Sequence, residues 1–586
     1  MASRRTQRWL PVAFAATVGF ALIAGSYTYV SAVAGDRSDC VALDVVSSTE
    51  KSELVKDLAE RYNGSRRRFG DRCADVTVTG LTSGQAMQAL AGDWGALSGT
   101  GSPRPQVWLP TSTLWTGQLQ LLDQAAGHQV QTGGEYESIA NSPLVIAMPA
   151  TKARYLQQQG PLGWGDILGM SGEQGWAEFG KPEWKRFTFG KDNPNLSTSG
   201  LAATIATYYA ATKTSSDLTT ADLRDPKVTR FVRQIEANVS HYSDDVVDLL
   251  RALAAADLAE VDGAAGSDLS AVVTQEELVY LYNTGALSNG KKPNEQLVAL
   301  NPKEGTFNLD HPYVVLPQAD EAQRAAAADF LAFLQEKPQQ REFAAIGFRD
   351  HERAASDDLV RVVGGNKAAG TYFEPPSPEV VQGIKEGWAT LRKKANILMT
   401  VDVSGSMTSN KVGNTNLTRL AYATAAAKKG IELLNSEDRV GLWSFSSKLD
   451  GAAKPYREQL PLARLDDDQF GAKLDKVRSG GGTALYTTIR AAHRHMLDNY
   501  DRSRINAVVV LTDGENEYPE DNDLNKLLRD IELDPDRPVK VFCIAFDKAS
   551  DLLSLEKIAA AGAGKAFDAQ DPEKVDEAFV KLLSSF

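Results

Sequence analysis

Asp402-Val403-Ser404-Gly405-Ser406 sets one carboxylate and two hydroxyls at alternating positions, directly after the apolar run 397–401. Oxygen-only donors of this kind are hard ligands and suit Mg²⁺ or Mn²⁺ rather than zinc. Two further groups can join them. Thr483 follows Gly480-Gly481-Gly482, and Asp513 closes the apolar run 505–511 within Leu511-Thr512-Asp513-Gly514. Open α/β sheets place ligand sites at the carboxyl ends of strands, where all of these residues are predicted to lie. Asp-x-Ser-x-Ser alone is also a common turn composition. Thr483 and Asp513 turn it into a five-residue constellation.

The elements that must hold this constellation alternate. Strands are predicted at 395–402, 439–445, 505–513 and 539–546, with helices at 417–434, 469–477, 486–498 and 574–583. That order implies a parallel sheet covered on both faces. The acids Glu515, Glu517, Glu520 and Asp521, and Asp466-Asp467-Asp468, read as solvated surface. Just upstream, 379–394 has Val380, Ile384, Trp388 and Leu391 at helical spacing, behind a Gly- and Pro-rich linker at 362–378.

Earlier in the chain, strands at 40–46, 74–79 and 105–110 each run into hydroxyl residues at a predicted helix start: Ser47-Ser48-Thr49, Thr82-Ser83-Gly84 and Thr111-Ser112. Helix N-termini present unpaired N–H groups and partial positive charge, which suits anions. Residues 142–149 predict a strand that crosses into another lobe. Asn195-Leu196-Ser197-Thr198-Ser199-Gly200 precedes a helix, and 276–283 fits either strand or helix. Lys191 is the nearest basic group that could clamp an anion, plain surface being the alternative.

The totals exclude some classes. A chain of 586 residues holds two to four domains. A net charge of -13 and a pI of about 5.2, with no basic domain, argue against nucleic acid. Arg4, Arg5 and Arg8 precede an apolar stretch at 9–34, long enough to span a bilayer with the start in the cytoplasm. Ala32-Val33-Ala34 also fits a signal-peptidase site, but the apolar length exceeds a usual signal and favours an uncleaved anchor. Either way the rest lies outside the cytoplasm, where Cys40 and Cys73 can form a disulfide. Cys543, in a strand-like run, reads as a core residue. His128, His241, His311, His351, His493 and His495 form no HExxH, and no G-x-S-x-G or GK[ST] motif occurs, so no enzyme is expected.

Two resemblances organise these readings. Over 395–586, Asp402-x-Ser404-x-Ser406, Gly482-Thr483 and Thr512-Asp513-Gly514 resemble the metal-ion-dependent adhesion site of von Willebrand factor A domains. That implies a doubly wound, Rossmann-like α/β fold. It also implies that Ser404, Ser406 and Thr483 bind Mg²⁺ (or Mn²⁺ or Ca²⁺) directly. Asp402 and Asp513 would act through water or hydrogen bonds, and a partner protein would present Asp or Glu to the open position. Over 39–361 the element order, with Ser47-Ser48, Ser83-Gly84 and Ser197-Thr198-Ser199-Gly200, resembles bacterial extracellular solute-binding proteins of the two-lobed, molybdate-like class. This implies a cleft for a small solute or oxyanion with Ser47, Ser83 and Ser199 as contacts, helix capping being their alternative role.

The expected plan is an α/β chain. Residues 1–35 are an anchor or signal, 36–361 a periplasmic-binding-protein-like pair of lobes, 362–394 linker and short helix, and 395–586 the von Willebrand factor A domain. The expected function is a membrane-anchored (single-pass) or secreted binding protein. A transport component or a ligand-free scaffold is the alternative.

Overall fold

A computed structural model describes residues 40–569, apart from 66, 126–134, 171–173, 244, 260–268, 366–369, 410, 412–416, 432–433, 450–453, 477–479, 535–536 and 547–550, together with 578 and 582. The predicted N-terminal anchor and most of the closing helix at 574–583 lie outside the described residues. Among those described, no helix is long and apolar enough to cross a membrane.

Leu43 and Val45 alternate with Val46 along Cys40–Ser47 (β1), so each face of the strand meets a different core, as the period of two requires. Strand β1 pairs in parallel with Cys73–Gly80 (β2) and Val107–Leu109 (β3), and Val314–Val315 (β10) returns antiparallel on β3. Leu43, Val45, Val107 and Leu109 pack on Leu58, Phe330 and Phe333. Cys40 and Cys73 sit opposite each other in the β1–β2 register, with Cα atoms 4.5 Å apart, and are disulfide-bonded. The bond closes a loop of 33 residues in sequence. On chain-entropy grounds, Cys40→Ser with Cys73→Ser is expected to lower stability by about 2–4 kcal/mol, read from urea unfolding of the full chain.

The second sheet runs β6-β5-β7-β4-β8: Val239–Ser243, Phe189–Asp192, Ala271–Gln275, Ser142–Pro149 and Leu297–Leu300 in that order, with Asn308–Leu309 (β9) also on β4. Strand β4 carries the chain into this sheet, and β9 and β10 bring it back. Residues 276–284, ambiguous in sequence, form a helix, Glu276–Thr284, ended by Gly285 at φ 83°. Lys191 is neither surface nor clamp. It lies 1 % exposed in β5, and its ammonium is taken by Glu236.

The third sheet runs β13-β12-β11-β14-β15-β16. Lys394–Asp402 (β11) is central, in parallel register with Arg439–Phe445 (β12) and Arg504–Thr512 (β14). Val539–Ala545 (β15) and Ala566–Asp568 (β16) continue in parallel. Ile397, Met399 and Val401 face one core and Leu398 the other, so both faces are covered. The expectation of an all-parallel sheet needs one correction. Tyr456–Arg464 (β13) pairs antiparallel with β12 through a bulged register. As an edge strand it is mostly exposed, with only Leu460 of its nine residues buried, so its sequence carries a weak apolar signal.

Between the second and third sheets runs the helix Pro378–Leu391. Ser377 caps it and Pro378 occupies the first turn, where a missing N–H costs nothing. Its buried residues Val380, Val381, Ile384, Trp388 and Leu391 are the predicted apolar stripe extended by one. The helix lies against the helices Leu114–Ala125, Thr198–Thr212 and Pro226–Ala237, so it touches elements that follow both of the first two sheets. Gln118 Nε2 donates to the Pro378 carbonyl at 2.8 Å, and Trp388 Nε1 donates to Glu236 Oε2 at 3.0 Å. Arg392 then pairs with Asp438 at 2.8 Å, and Asp438 also accepts the Ala395 N–H at 2.7 Å, fixing the start of β11.

Candidate functional site

Asp402 ends β11 with both carboxylate oxygens engaged. Oδ1 accepts the Ser404 N–H at 2.8 Å, and Oδ2 accepts the Thr512 hydroxyl at 2.6 Å. Burial pushes its carboxyl up to about 7 against those two hydrogen bonds. The loop then turns so that Ser404 Oγ and Ser406 Oγ lie 3.0 Å apart, and Ser406 Oγ donates to Asp513 Oδ1 at 2.8 Å. Asp402, Ser404, Thr483 and Asp513 are buried, and Ser406 is half-buried.

The glycine loop is tied to the same edge. Gly405 N–H donates to Gly481 O at 2.8 Å, and Gly480 N–H to Val403 O at 2.9 Å. Gly481 has φ +77°, and a Cβ there would stand 2.8 Å from Lys448 N. Only glycine fits that conformation and that approach. A Cβ on Gly514 would come within 3.2 Å of Thr483 Oγ1, which brings Thr483 beside the Asp513 turn. Three distant segments, 402–406, 480–483 and 512–514, thus meet at the carboxyl edge of the third sheet.

Two features were missed in the sequence. Arg419 donates to Asp513 Oδ2 at 2.8 Å from 94 residues away, so one oxygen of that carboxylate faces a guanidinium. Glu517, read as plain surface, is tied to the loop: its N–H donates to Thr483 O at 2.8 Å, and a Cβ on Gly482 would meet its Oε2 at 2.7 Å. Among the described residues there is no cluster of three or more His, Cys, Asp or Glu that could hold a metal. The groups that could do so here are Ser404, Ser406, Thr483 and Asp513, a donor set dominated by hydroxyls. It fits a hard divalent cation that keeps part of its water.

A second polar site lies between the first two sheets. A small, partly open cavity of about 20 Å³ is lined by Glu50, Ser83, Thr111, Thr198, Asp245 and Gln275, among others. Ser83 Oγ accepts the Thr111 N–H at 3.0 Å and lies 3.1 Å from Thr111 Oγ1. Ser199, one residue beyond the lining Thr198, is 1 % exposed, and its hydroxyl has no hydrogen-bond partner among the described residues. Ser47 does not line the cavity, and its hydroxyl is directed to the Ser48 carbonyl at 3.3 Å. Trp115 Nε1 reaches across to Thr198 Oγ1 at 2.8 Å.

Burial would raise the Glu50 carboxyl, but the Lys51 ammonium and the Ser48 hydroxyl help to hold it down at about 2. Asp245 is raised to about 6, first by burial and further by the Asp248 and Glu50 charges. A carboxyl raised on folding contributes stability that is complete below the unfolded value of 3.8 and is lost as pH rises through 6. Asp245→Asn should therefore match the parent near pH 3.5 and exceed it at pH 7 by about 1–3 kcal/mol, read from thermal unfolding at the two pH values.

Two lobes around a polar cavity, followed by a sheet with hydroxyls and carboxylates at its carboxyl edge, define a binding or scaffold protein of modular build. The chain belongs to the bacterial extracellular solute-binding protein family, which matches residues 43–349, and it carries a von Willebrand factor type A domain, matched over residues 396–581. Both are binding and adhesion families, and the first points to an extracytoplasmic location. An uncharacterized protein of Mycobacterium tuberculosis, found in two strains, is 26% identical over 569 residues, covering 93% of this chain and 76% of its own length. Among solved structures, a von Willebrand factor type A protein from Catenulispora acidiphila is 22% identical with a TM-score of 0.27, covering 33% of this chain and 42% of that one. A periplasmic thiamin binding protein is 11% identical with a TM-score of 0.37, covering 60% of this chain and 96% of that one.

Proposed function

We propose that this protein, membrane-anchored or secreted, binds a small solute between its lobes and docks a partner protein through a divalent cation on its von Willebrand factor A domain. The proposed domain plan is 1–35, 36–361, 362–394 and 395–586. Ser404, Ser406 and Thr483 would hold Mg²⁺, with Asp402 and Asp513 in support. A bound cation supplies an open position that accepts a carboxylate from the partner. The chain's own part is to fix the donors: Asp402 locks the loop through Ser404 N–H and Thr512, and the Gly405–Gly481 bond holds the second loop against the first. The observation that carries the reading is the convergence of Ser404, Ser406 and Asp513 within hydrogen-bond reach from positions 107 residues apart.

The match to solute-binding proteins over 43–349 also supports a second reading, in which the chain delivers solute to a transporter. A pull-down with the full chain, in Mg²⁺ and in chelator, decides between them. Partners lost in chelator and in Asp402→Ala support docking. A membrane transporter retained in chelator supports delivery.

A further inference from the structure

The cavity between the lobes has a chemical preference, an inference that rests on the solute-binding reading. Five helices begin at or beside its lining residues: Ser52–Ser65, Ser83–Ala91, Thr198–Thr212, Val246–Ala259 and Glu276–Thr284. Five partial positive charges would attract an anion, as the sequence suggested. The chain supplies those anions itself. Glu50 precedes the first helix. Asp245 opens the fourth, accepting the Val247 N–H at 2.9 Å. Glu276, paired with Arg349, opens the fifth. A full carboxylate charge exceeds the roughly +0.5 of a helix end.

Among the described residues no Lys, Arg or His lines the cavity. The nearby basic groups are already placed: Lys51 on Ser48 and on Glu50 Oε1, His311 Nδ1 3.5 Å from the same Glu50 oxygen, Arg349 on Glu276, and Lys191 on Glu236, so Glu50 offers the cavity its other oxygen, Oε2. Two acceptors of the lining residues are unfilled. Glu50 Oε1 takes the Ser48 hydroxyl at 2.6 Å and the Thr111 hydroxyl at 2.8 Å, while Oε2 takes no hydrogen bond from another described residue. Gln275, 2 % exposed and part of the lining, has an Oε1 with no partner among the described residues. Buried acceptors left unfilled are costly, and an oxyanion would set more acceptors against them. A positively charged N–H donor satisfies them and the charge together.

We propose that the cleft takes the ammonium or guanidinium group of a small organic cation, held by Glu50 Oε2, Asp245 and Gln275 Oε1. The cavity of about 20 Å³ has room for little more than a water-sized group, and it is partly open, so the body of a larger amine extends out through its mouth.

The test uses the full chain in thermal-shift and calorimetric titrations at constant ionic strength. The probes are methylammonium, guanidinium and putrescine, set against erythritol, molybdate and sulfate. The expected result is stabilisation by at least one cation, with affinity falling tenfold or more in Glu50→Gln and in Asp245→Asn. Asp245→Asn keeps a helix-capping side chain and so serves if Glu50→Gln, which leaves Lys51 unpaired, fails to fold. Stabilisation by erythritol or an oxyanion with the cations silent overturns the cationic class and leaves the solute cleft standing. Cation binding unchanged in both variants overturns the assignment to these residues. Silence of every probe overturns the cationic class and the solute reading together.

Discussion

Asp402→Ala is expected to weaken Mg²⁺ or Mn²⁺ binding by about 100-fold and to remove every partner that needs the cation. The expectation follows from what Asp402 does. It is buried at the end of the central strand, and its two oxygens hold the Ser404 N–H and the Thr512 hydroxyl. Through Ser404 it sets where Ser406 meets Asp513, and through Thr512 it ties β11 to β14. Alanine leaves two buried donors without an acceptor, at a cost of about 1–3 kcal/mol each, so part of the lost affinity would come from a loosened loop. Asp402→Asn separates the two effects. It keeps an acceptor and the shape but removes the charge, and it should fold like the parent while binding the cation poorly. Calorimetric titration of Mn²⁺ into the parent and both variants is the measurement. A parent that binds neither cation at millimolar concentration, or an alanine variant that binds as the parent does, would remove the basis for metal-dependent docking.

The second large effect is on stability. Glu236→Ala should destabilise the chain by about 3–5 kcal/mol, because it strands a buried ammonium. Glu236 is fully buried and accepts from three groups: Lys191 on β5, Tyr242 on β6 and Trp388 on the helix Pro378–Leu391. Burial already pulls the Lys191 ammonium below its usual range, and Glu236 restores part of the difference. Lys191→Met with Glu236→Leu removes both charges and should recover much of the loss. It still leaves the Tyr242 hydroxyl and the Trp388 indole N–H unpaired, so recovery stays incomplete. Urea unfolding of the parent, the single variant and the double variant measures this. Equal stability of parent and Glu236→Ala would show that the buried pair contributes nothing net.

The parts of the chain that could be read from sequence are those whose signal is local. The apolar runs at 397–401 and 505–511 became β11 and β14, and Gly480-Gly481-Gly482 became a loop that needs a positive φ at Gly481. The stripe Val380, Ile384, Trp388 and Leu391 gave the buried face of its helix but not what that face covers. That depends on Glu236, 152 residues away, and on Gln118, 260 residues before Pro378. Lys191 misled for the same reason. A lysine reads as surface until its carboxylate is placed, and Glu236 lies 45 residues on. Arg419 beside Asp513 and Glu50 facing Asp245 are equally non-local. The anion preference drawn from helix starts was sound for each helix alone. The cationic class proposed above differs because it also counts Glu50 and Asp245, the acids at those helix starts.

The central position of β11 also decides how the molecule answers force. The proposed docking loop leaves the carboxyl end of a strand bonded along its length to β12 on one side and β14 on the other. A pull directed along that strand would strain both ladders in shear, all bonds at once, rather than peel them one by one. The tension then passes Ala395 and Asp438 into Arg392 and the helix Pro378–Leu391, which rests on elements from both lobes. Traction at the proposed docking face would thereby be delivered to the middle of the solute-binding part.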